Sequence, residues 1–147
     1  MDGATGADSM AGGTGGDTYH VDASADAVAE AVSAGTDTVI ATTSFTLAAN
    51  VEKLTLAGRE ALDGAGNSLA NDLQGNGAAN VLDGGAGVDR MDGGKGDDTY
   101  MVDNARDSVR ESRGGGIDTV VSSVSRTLGA FEENLVLVGP GLTGQGN

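Results

Sequence analysis

A nine-residue period runs through this chain and restricts its fold more than any other feature. It reads GNSLANDLQ (66–74), GNGAANVLD (75–83), GGAGVDRMD (84–92) and GGKGDDTYM (93–101), with GATGADSMA (3–11) and GGTGGDTYH (12–20) near the N-terminus. A large apolar residue recurs at Met10, Tyr19, Leu73, Leu82, Met91 and Tyr100. Two places before each stands an acid or amide: Asp8, Asp17, Asn71, Asn80, Asp89 and Asp98. Glycine holds fixed places as well, at Gly3 and Gly6, at Gly12, Gly13 and Gly15, at Gly84, Gly85 and Gly87, and at Gly93, Gly94 and Gly96. Glycine takes positive φ without a steric penalty, so the first six residues of each unit form a tight turn with exposed carbonyls. The last three are a short strand whose central side chain points inward. A unit that buries one large side chain has no core of its own and must stack on its neighbours.

A longer repeat of 81 residues encloses the short one. GGTGGDTYHVD (12–22) returns as GGKGDDTYMVD (93–103), GTDTVIATTSFTL (35–47) as GIDTVVSSVSRTL (116–128), and EKLTLAG (52–58) as ENLVLVG (133–139). The chain is therefore expected to be a single repeat domain of two such units, 1–81 and 82–147, the second truncated, within a longer protein. Between the glycine-rich blocks, TVIAT (38–42) and TVVSS (119–123) are β-branched and read as strands. ASADAVAEAVSA (23–34) has Val28 and Val32 at helical spacing, but its copy NARDSVRESRGG places Arg113 opposite Val32. An irregular coil is the better reading there. Leu47, Leu54, Leu56, Leu128, Leu135 and Leu137 are expected to face the interior, and His20, between two inward positions, to face solvent. The second copy departs from the first where Phe131 stands for Asn50 and Glu132 for Val51.

Charge narrows the partners. Asp and Glu number 22 against 8 Lys and Arg, a formal charge of −14, which repels nucleic-acid phosphates and anionic membranes and attracts cations. With 3% aromatic residues and no cysteine, the chain lacks the material for a conventional globular core, for disulfides and for thiolate metal sites. No apolar run approaches the ~20 residues that span a bilayer, and MDGATGADSM has neither the basic stretch nor the apolar core of a signal peptide.

The unit Gly-Gly-x-Gly-x-Asp-x-apolar-x resembles the RTX (repeats-in-toxin), hemolysin-type calcium-binding repeat of bacterial secreted proteins, a nonapeptide that winds calcium-binding β-helices. The resemblance implies an all-β, right-handed parallel β-solenoid (a β-roll or β-helix) whose glycine-rich turns bind several Ca²⁺ ions. Two nonapeptides make one coil, so each turn stacks on the next but one, about 4.8 Å away. That rule joins Asn71, Asp89 and Asp107 along one edge, and Asn80, Asp98 and Asp118 along the other. In the first unit it joins Asp8 to Asp26 and Asp17 to Asp37. Calcium suits such turns because it takes six to eight oxygens at roughly 2.3–2.6 Å, mixing carboxylates with carbonyls. Asn71 and Asn80 offer a neutral oxygen and are expected to mark weaker sites. Isolated Asp22, Asp63 and Asp72 read as solvated turn residues.

Three functional readings follow. The first is a calcium-dependent folding and secretion module, exported unfolded by type I secretion and folding on meeting extracellular calcium. The second is an adhesion or carbohydrate-binding module of a surface protein or polysaccharide-modifying enzyme, which needs exposed aromatic rings among Tyr19, Phe45, Tyr100 and Phe131. The third is a fragment of a toxin or protease. A nucleophilic triad cannot be assembled from one histidine, no cysteine and no Gly-x-Ser-x-Gly turn. The expected partners are calcium and flanking repeats or an effector domain of the parent chain. Open strand edges at both ends invite end-to-end self-association, and a polysaccharide is the partner of the second reading. The resemblance places the protein outside the cell or on the bacterial surface.

Overall fold

A computed structural model describes residues 1–147, which form short strands throughout and no helix. In chain order these are β1 (Ser9–Ala11), β2 (Thr18–Val21), β3 (Ala27–Ala29), β4 (Thr38–Ala41), β5 (Phe45–Thr46), β6 (Lys53–Leu56), β7 (Asp63–Ala65), β8 (Asp72–Gln74), β9 (Val81–Asp83), β10 (Arg90–Asp92), β11 (Thr99–Val102), β12 (Ser108–Arg110), β13 (Thr119–Ser122), β14 (Arg126–Thr127), β15 (Asn134–Leu137) and β16 (Gly144–Gln145).

Odd and even strands part onto two faces. Strands β2, β4, β6, β8, β10 and β12 form one parallel sheet, and β5, β7, β9, β11, β13 and β15 form another. The pair β1–β3 precedes the odd sheet and β14–β16 follows the even one. With two strands to a coil, the chain is a parallel β-solenoid of about eight coils.

Period-two alternation decides what goes inside. Three-residue strands such as β1, β9 and β10 bury only their central side chain, and β2 buries Tyr19 and Val21 while leaving Thr18 and His20 exposed. In-register pairing lines the inward side chains into rows. One row runs Tyr19, Val39, Leu54, Leu73, Met91 and Val109 on the even face. Its counterpart runs Gly64, Leu82, Tyr100, Val120 and Leu135 on the odd face. The core is thin: 18 apolar residues are buried in a chain of 147, so polar contacts between turns must carry much of the cohesion. Leu47, Leu54, Leu56 and Leu128 are buried, whereas Leu135 and Leu137 are half-buried because β15 has no strand beyond it. Asp63 and Asp72 begin strands rather than sit in turns, and Asp72 lies 3.9 Å from Arg90 across β8 and β10.

The 81-residue repeat covers nine strands, since β1 corresponds to β10, β2 to β11, and β4 to β13. Nine is odd, so the copies lie four and a half coils apart and equivalent residues occupy opposite faces. Tyr19 belongs to the even sheet and Tyr100 to the odd one. The correspondence extends to the backbone, because Asn50 and Phe131 both stand at φ +67°.

Each copy has one shortened coil. Asp37 and Glu52 are 15 residues apart, as are Asp118 and Glu133, where other stacked turns are separated by 18 or 20. The strand within the short coil, β5 or β14, is only two residues long and does not pair with the strand before it. A cavity of about 530 Å³ opens at the first break, with Val28 and Phe45 in its wall, and one of about 320 Å³ at the second, beside Arg126 and Glu132. An asparagine clamps the end of each short coil. Asn67 Nδ2 donates to the carbonyls of Ala48 and Val51, each at 2.7 Å, and Asn147 Nδ2 donates to those of Gly129 and Glu132.

The register holds through the divergent positions 131 and 132, since β15 pairs with β13 as β6 pairs with β4. What changes is chemistry. Phe45 and fully buried Val51 give way to Arg126 and Glu132, an ion pair at 3.5 Å with side chains 11% and 2% exposed.

Candidate metal centres

The residue before each central strand builds a ladder of side-chain oxygens. Asp26 Oδ1 accepts the Asp8 N–H at 3.0 Å, and Asp37 Oδ1 accepts that of Asp17 at 2.8 Å. On the even face Asp89 Oδ1 accepts from Asn71 at 2.8 Å and Asp107 Oδ1 from Asp89 at 3.0 Å. On the odd face Asp98 Oδ1 accepts from Asn80 at 2.7 Å and Asp118 Oδ1 from Asp98 at 2.9 Å. The turns that nine-residue stacking joins are thus brought together in these very pairs. Two members escape sequence reasoning. Glu52 accepts the Asp37 N–H at 2.9 Å, and Glu133 accepts that of Asp118 at 2.8 Å. The 15-residue coil breaks the nine-residue phase there, and a longer side chain spans the difference. The recurrence of Glu at 52 and 133 was the available signal.

The second carboxylate oxygen sorts these residues. Oδ2 of Asp8, Asp17, Asp37, Asp89, Asp98 and Asp118 is buried without any hydrogen-bond partner. Asp26 Oδ2 instead accepts from Asp22 and Ala23, and Asp107 Oδ2 from Asn104, so these two close their own turns. A buried anionic oxygen with no donor costs several kcal/mol or takes a cation. The surrounding backbone leaves room for nothing larger than glycine. A Cβ on Gly93 would lie 2.2 Å from Asp98 Oδ2, one on Gly84 2.7 Å from Asp89 Oδ2, and one on Gly12 2.5 Å from Asp17 Oδ2. At Gly3 the same atom would meet Asp8 Oδ2 at 2.8 Å.

Positive φ completes the aspartate turns at the second and fourth places: Gly13 +88° and Gly15 +114°, Gly94 +95° and Gly96 +111°, with Gly85 and Gly87 alike. Ala4 is forced to +59° beside Gly6, a strain of about 1–2 kcal/mol for a residue with a Cβ.

The asparagine turns, 66–71 and 75–80, have no residue at positive φ. They close on side-chain amides. Asn71 Oδ1 accepts from Asn67 N–H at 2.7 Å while Asn67 Oδ1 accepts from Leu69 at 2.8 Å, and Asn80 and Asn76 repeat the pattern. Asn71 Nδ2 donates to Val51 O at 3.1 Å, and Asn80 Nδ2 to Leu62 O at 2.8 Å. Both ends of these side chains have protein partners.

In two places a third carboxylate joins the ladder. Asp17, Glu30 and Asp37 each offer an oxygen within 4.8 Å of the others, and so do Asp98, Glu111 and Asp118. Tyr19 OH donates to Glu30 and Tyr100 OH to Glu111, while the Gly93 N–H donates to Tyr100 OH at 2.8 Å. Both tyrosines are fully buried, which leaves Phe45 and Phe131 as the rings with any exposure.

Electrostatics agree with the geometry. Burial pushes the carboxyls of Asp89 and Asp98 up to about 6 and that of Glu111 up to about 7, and raises Asp118 and Asp103 as well. Burial and the Glu111 contact push the Tyr100 phenol far above its ordinary range, and Tyr19 shifts the same way beside Glu30. Asp26 moves oppositely, because the Asp8 N–H stabilises its charged form.

A parallel β-solenoid with orphaned carboxylate oxygens between stacked glycine turns defines a class of cation-binding repeat proteins. The model of the RTX calcium-binding nonapeptide repeat matches this chain in four copies, over residues 1–28 and 65–100, so the chain carries RTX calcium-binding repeats. No curated protein and no solved structure matches it. No helix is long and apolar enough to cross a membrane.

Proposed function

We propose that this chain is a calcium-triggered folding module of a secreted or cell-surface bacterial protein, and that Asp8, Asp17, Asp37, Asp89, Asp98 and Asp118 are its principal side-chain ligands. The observation that carries this reading is the set of six buried Oδ2 atoms without partners, all in the ladder between stacked turns. Six buried oxygens without partners become ligands once cations enter, and the carbonyls of the left-handed glycines supply the neutral donors that calcium accepts alongside them. Zinc would require histidine or cysteine, and the chain has one and none.

Calcium sites in extracellular modules bind at roughly 10⁻⁴–10⁻³ M. A module of that affinity stays empty and unfolded in the cytosol and folds outside. Acidic composition with few aromatic residues suits a chain that must remain unfolded until then. Residues 1–81 and 82–147 act as one cooperative stack within a longer parent protein, whose other parts supply any effector activity.

Thermal unfolding in calcium and in chelator tests this. Ligands that bind only the folded state raise the melting temperature with concentration. The expected result is a rise of tens of degrees across the millimolar range, with little response to magnesium. Equal melting temperatures in calcium and chelator would sink the reading.

A further inference from the structure

The two carboxylate triads differ from the other turns. Glu30 and Glu111 come from the stretch that follows β3 and β12, outside the nonapeptide matches at 1–28 and 65–100. They are nonetheless held against the ladder, because the core residues Tyr19 and Tyr100 donate to them from within. Asp98 and Asp118 are each 1% exposed and Asp37 is fully buried, and all three turn a partnerless Oδ2 to the cluster after spending Oδ1 on a backbone N–H. Glycine lines the triad from the other side. A Cβ on Gly115 would lie 2.6 Å from Glu111 Oε2, and one on Gly93 2.4 Å from Tyr100 OH. The triad and its tyrosine occur in both copies, on opposite faces of the solenoid, with Ala34 standing where the second copy has Gly115.

We infer that Asp17–Glu30–Asp37 and Asp98–Glu111–Asp118 are a second kind of cation site, one per 81-residue copy, in which a tyrosine-anchored glutamate supplies a third carboxylate for a calcium-sized ion. The inference rests on the calcium reading above and adds ligands that lie beyond the nonapeptides. Ligand charge tunes calcium affinity, so these sites fill before the two-carboxylate turns. They also fasten the stretches after β3 and β12, residues 30–36 and 111–117, to the glycine-rich coils, beyond the rungs at Asp26 and Asp107.

The tyrosines make the site visible. The chain has two tyrosines and no tryptophan, and each tyrosine touches one triad glutamate. Terbium, a luminescent substitute for calcium, emits on tyrosine excitation only when it lies beside the ring. Wild-type chain titrated with terbium should show sensitised emission that calcium competes away and magnesium does not. At limiting ion, Glu30→Gln and Glu111→Gln should each remove about half of that emission and lower the calcium count in native mass spectrometry by one ion, because each leaves only a weaker two-carboxylate turn. Tyr19→Phe and Tyr100→Phe keep every carboxylate, so each should retain about half of the emission with an unchanged calcium count. An unchanged calcium count and unchanged emission in the Glu30→Gln/Glu111→Gln double variant would overturn the inference while leaving calcium binding intact. Bound terbium with no sensitised emission in the wild type would overturn it too, whether or not the glutamate variants fold. A wild type that binds no calcium would instead defeat the broader reading.

Discussion

The asparagine turns at 66–80 and the aspartate turns on either side of them share one backbone ladder but finish it in different ways. In the asparagine turns the amide accepts from its own turn and donates to the coil before it, and the turn does without left-handed residues. In the turns of Asp89 and Asp98 one oxygen accepts a neighbouring N–H, the other has no partner, and pairs of glycines take positive φ. An amide is self-sufficient at this place, whereas a carboxylate leaves an atom for something else to satisfy. The shortened coils repeat the contrast. Phe45 and Val51 need nothing further, while Arg126 Nε and Glu132 Oε2 are buried without partners. Neutral closures satisfy their own atoms, and charged ones leave oxygens that something else must satisfy.

The largest effect should come from splitting the buried pair. Glu132→Val leaves the Arg126 guanidinium nearly buried and unpaired, which typically costs about 3–5 kcal/mol. Chemical denaturation in saturating calcium measures it. The double change Arg126→Phe with Glu132→Val recreates the first copy's chemistry and should recover that loss, or exceed wild type by about 1–4 kcal/mol. A double variant as unstable as the single would show that the pair is more than a charged replacement for Phe45 and Val51.

Next in size is an exchange of turn chemistry. Asn80→Asp replaces an amide donor to Leu62 O with a second acceptor, so it should destabilise the protein at limiting calcium by about 1–3 kcal/mol and regain most of that at saturation. Asp98→Asn should do the reverse, with a smaller gain at limiting calcium and a shallower response to calcium. Identical calcium responses in the two variants would erase the distinction between the turns.

Last comes a pH dependence with opposite signs in the two conditions. Asp89, Asp98 and Glu111 have carboxyls raised to about 6, 6 and 7, above the ordinary range near 4 that they regain on unfolding. A raised carboxyl favours the protonated folded state. In chelator that contribution is full below about pH 4 and is lost as pH rises to about 7. With calcium present, protons compete for the same oxygens, so the calcium midpoint should fall over that interval. Circular dichroism in chelator, with more β signal expected at pH 5 than at pH 8, and calcium titrations at the same two pH values check both signs.

The nine-residue phase made most of this legible. Glycine, acid and apolar residue in step specify turn, ladder and inward row, so the pairs Asp8–Asp26, Asn71–Asp89 and Asn80–Asp98 follow from spacing alone, and Asp17–Asp37, 20 residues apart, from the apolar Val39 two places on. What escaped lies where the phase is broken. Glu52 and Glu133 belong to coils three residues short, and Glu30 and Glu111 reach the ladder only because a tyrosine one strand earlier positions them. The asparagines read as weaker versions of aspartate because spacing reveals which residue faces the turn but not which oxygen is left over. Asp26 and Asp107 show the same limit, since their second oxygens accept from their own turns. The burial of Glu132 was hidden because its partner sits six residues away in a coil of irregular length.

Whether cations complete this fold is decided by far-UV circular dichroism of the metal-free chain during a calcium titration, with magnesium as control. A cooperative change from a disordered to a β-rich spectrum is expected between sub-millimolar and millimolar calcium, and none with magnesium. A chain that is already β-rich in chelator and indifferent to calcium would refute the dependence, because six buried carboxylate oxygens would then be tolerated without a cation.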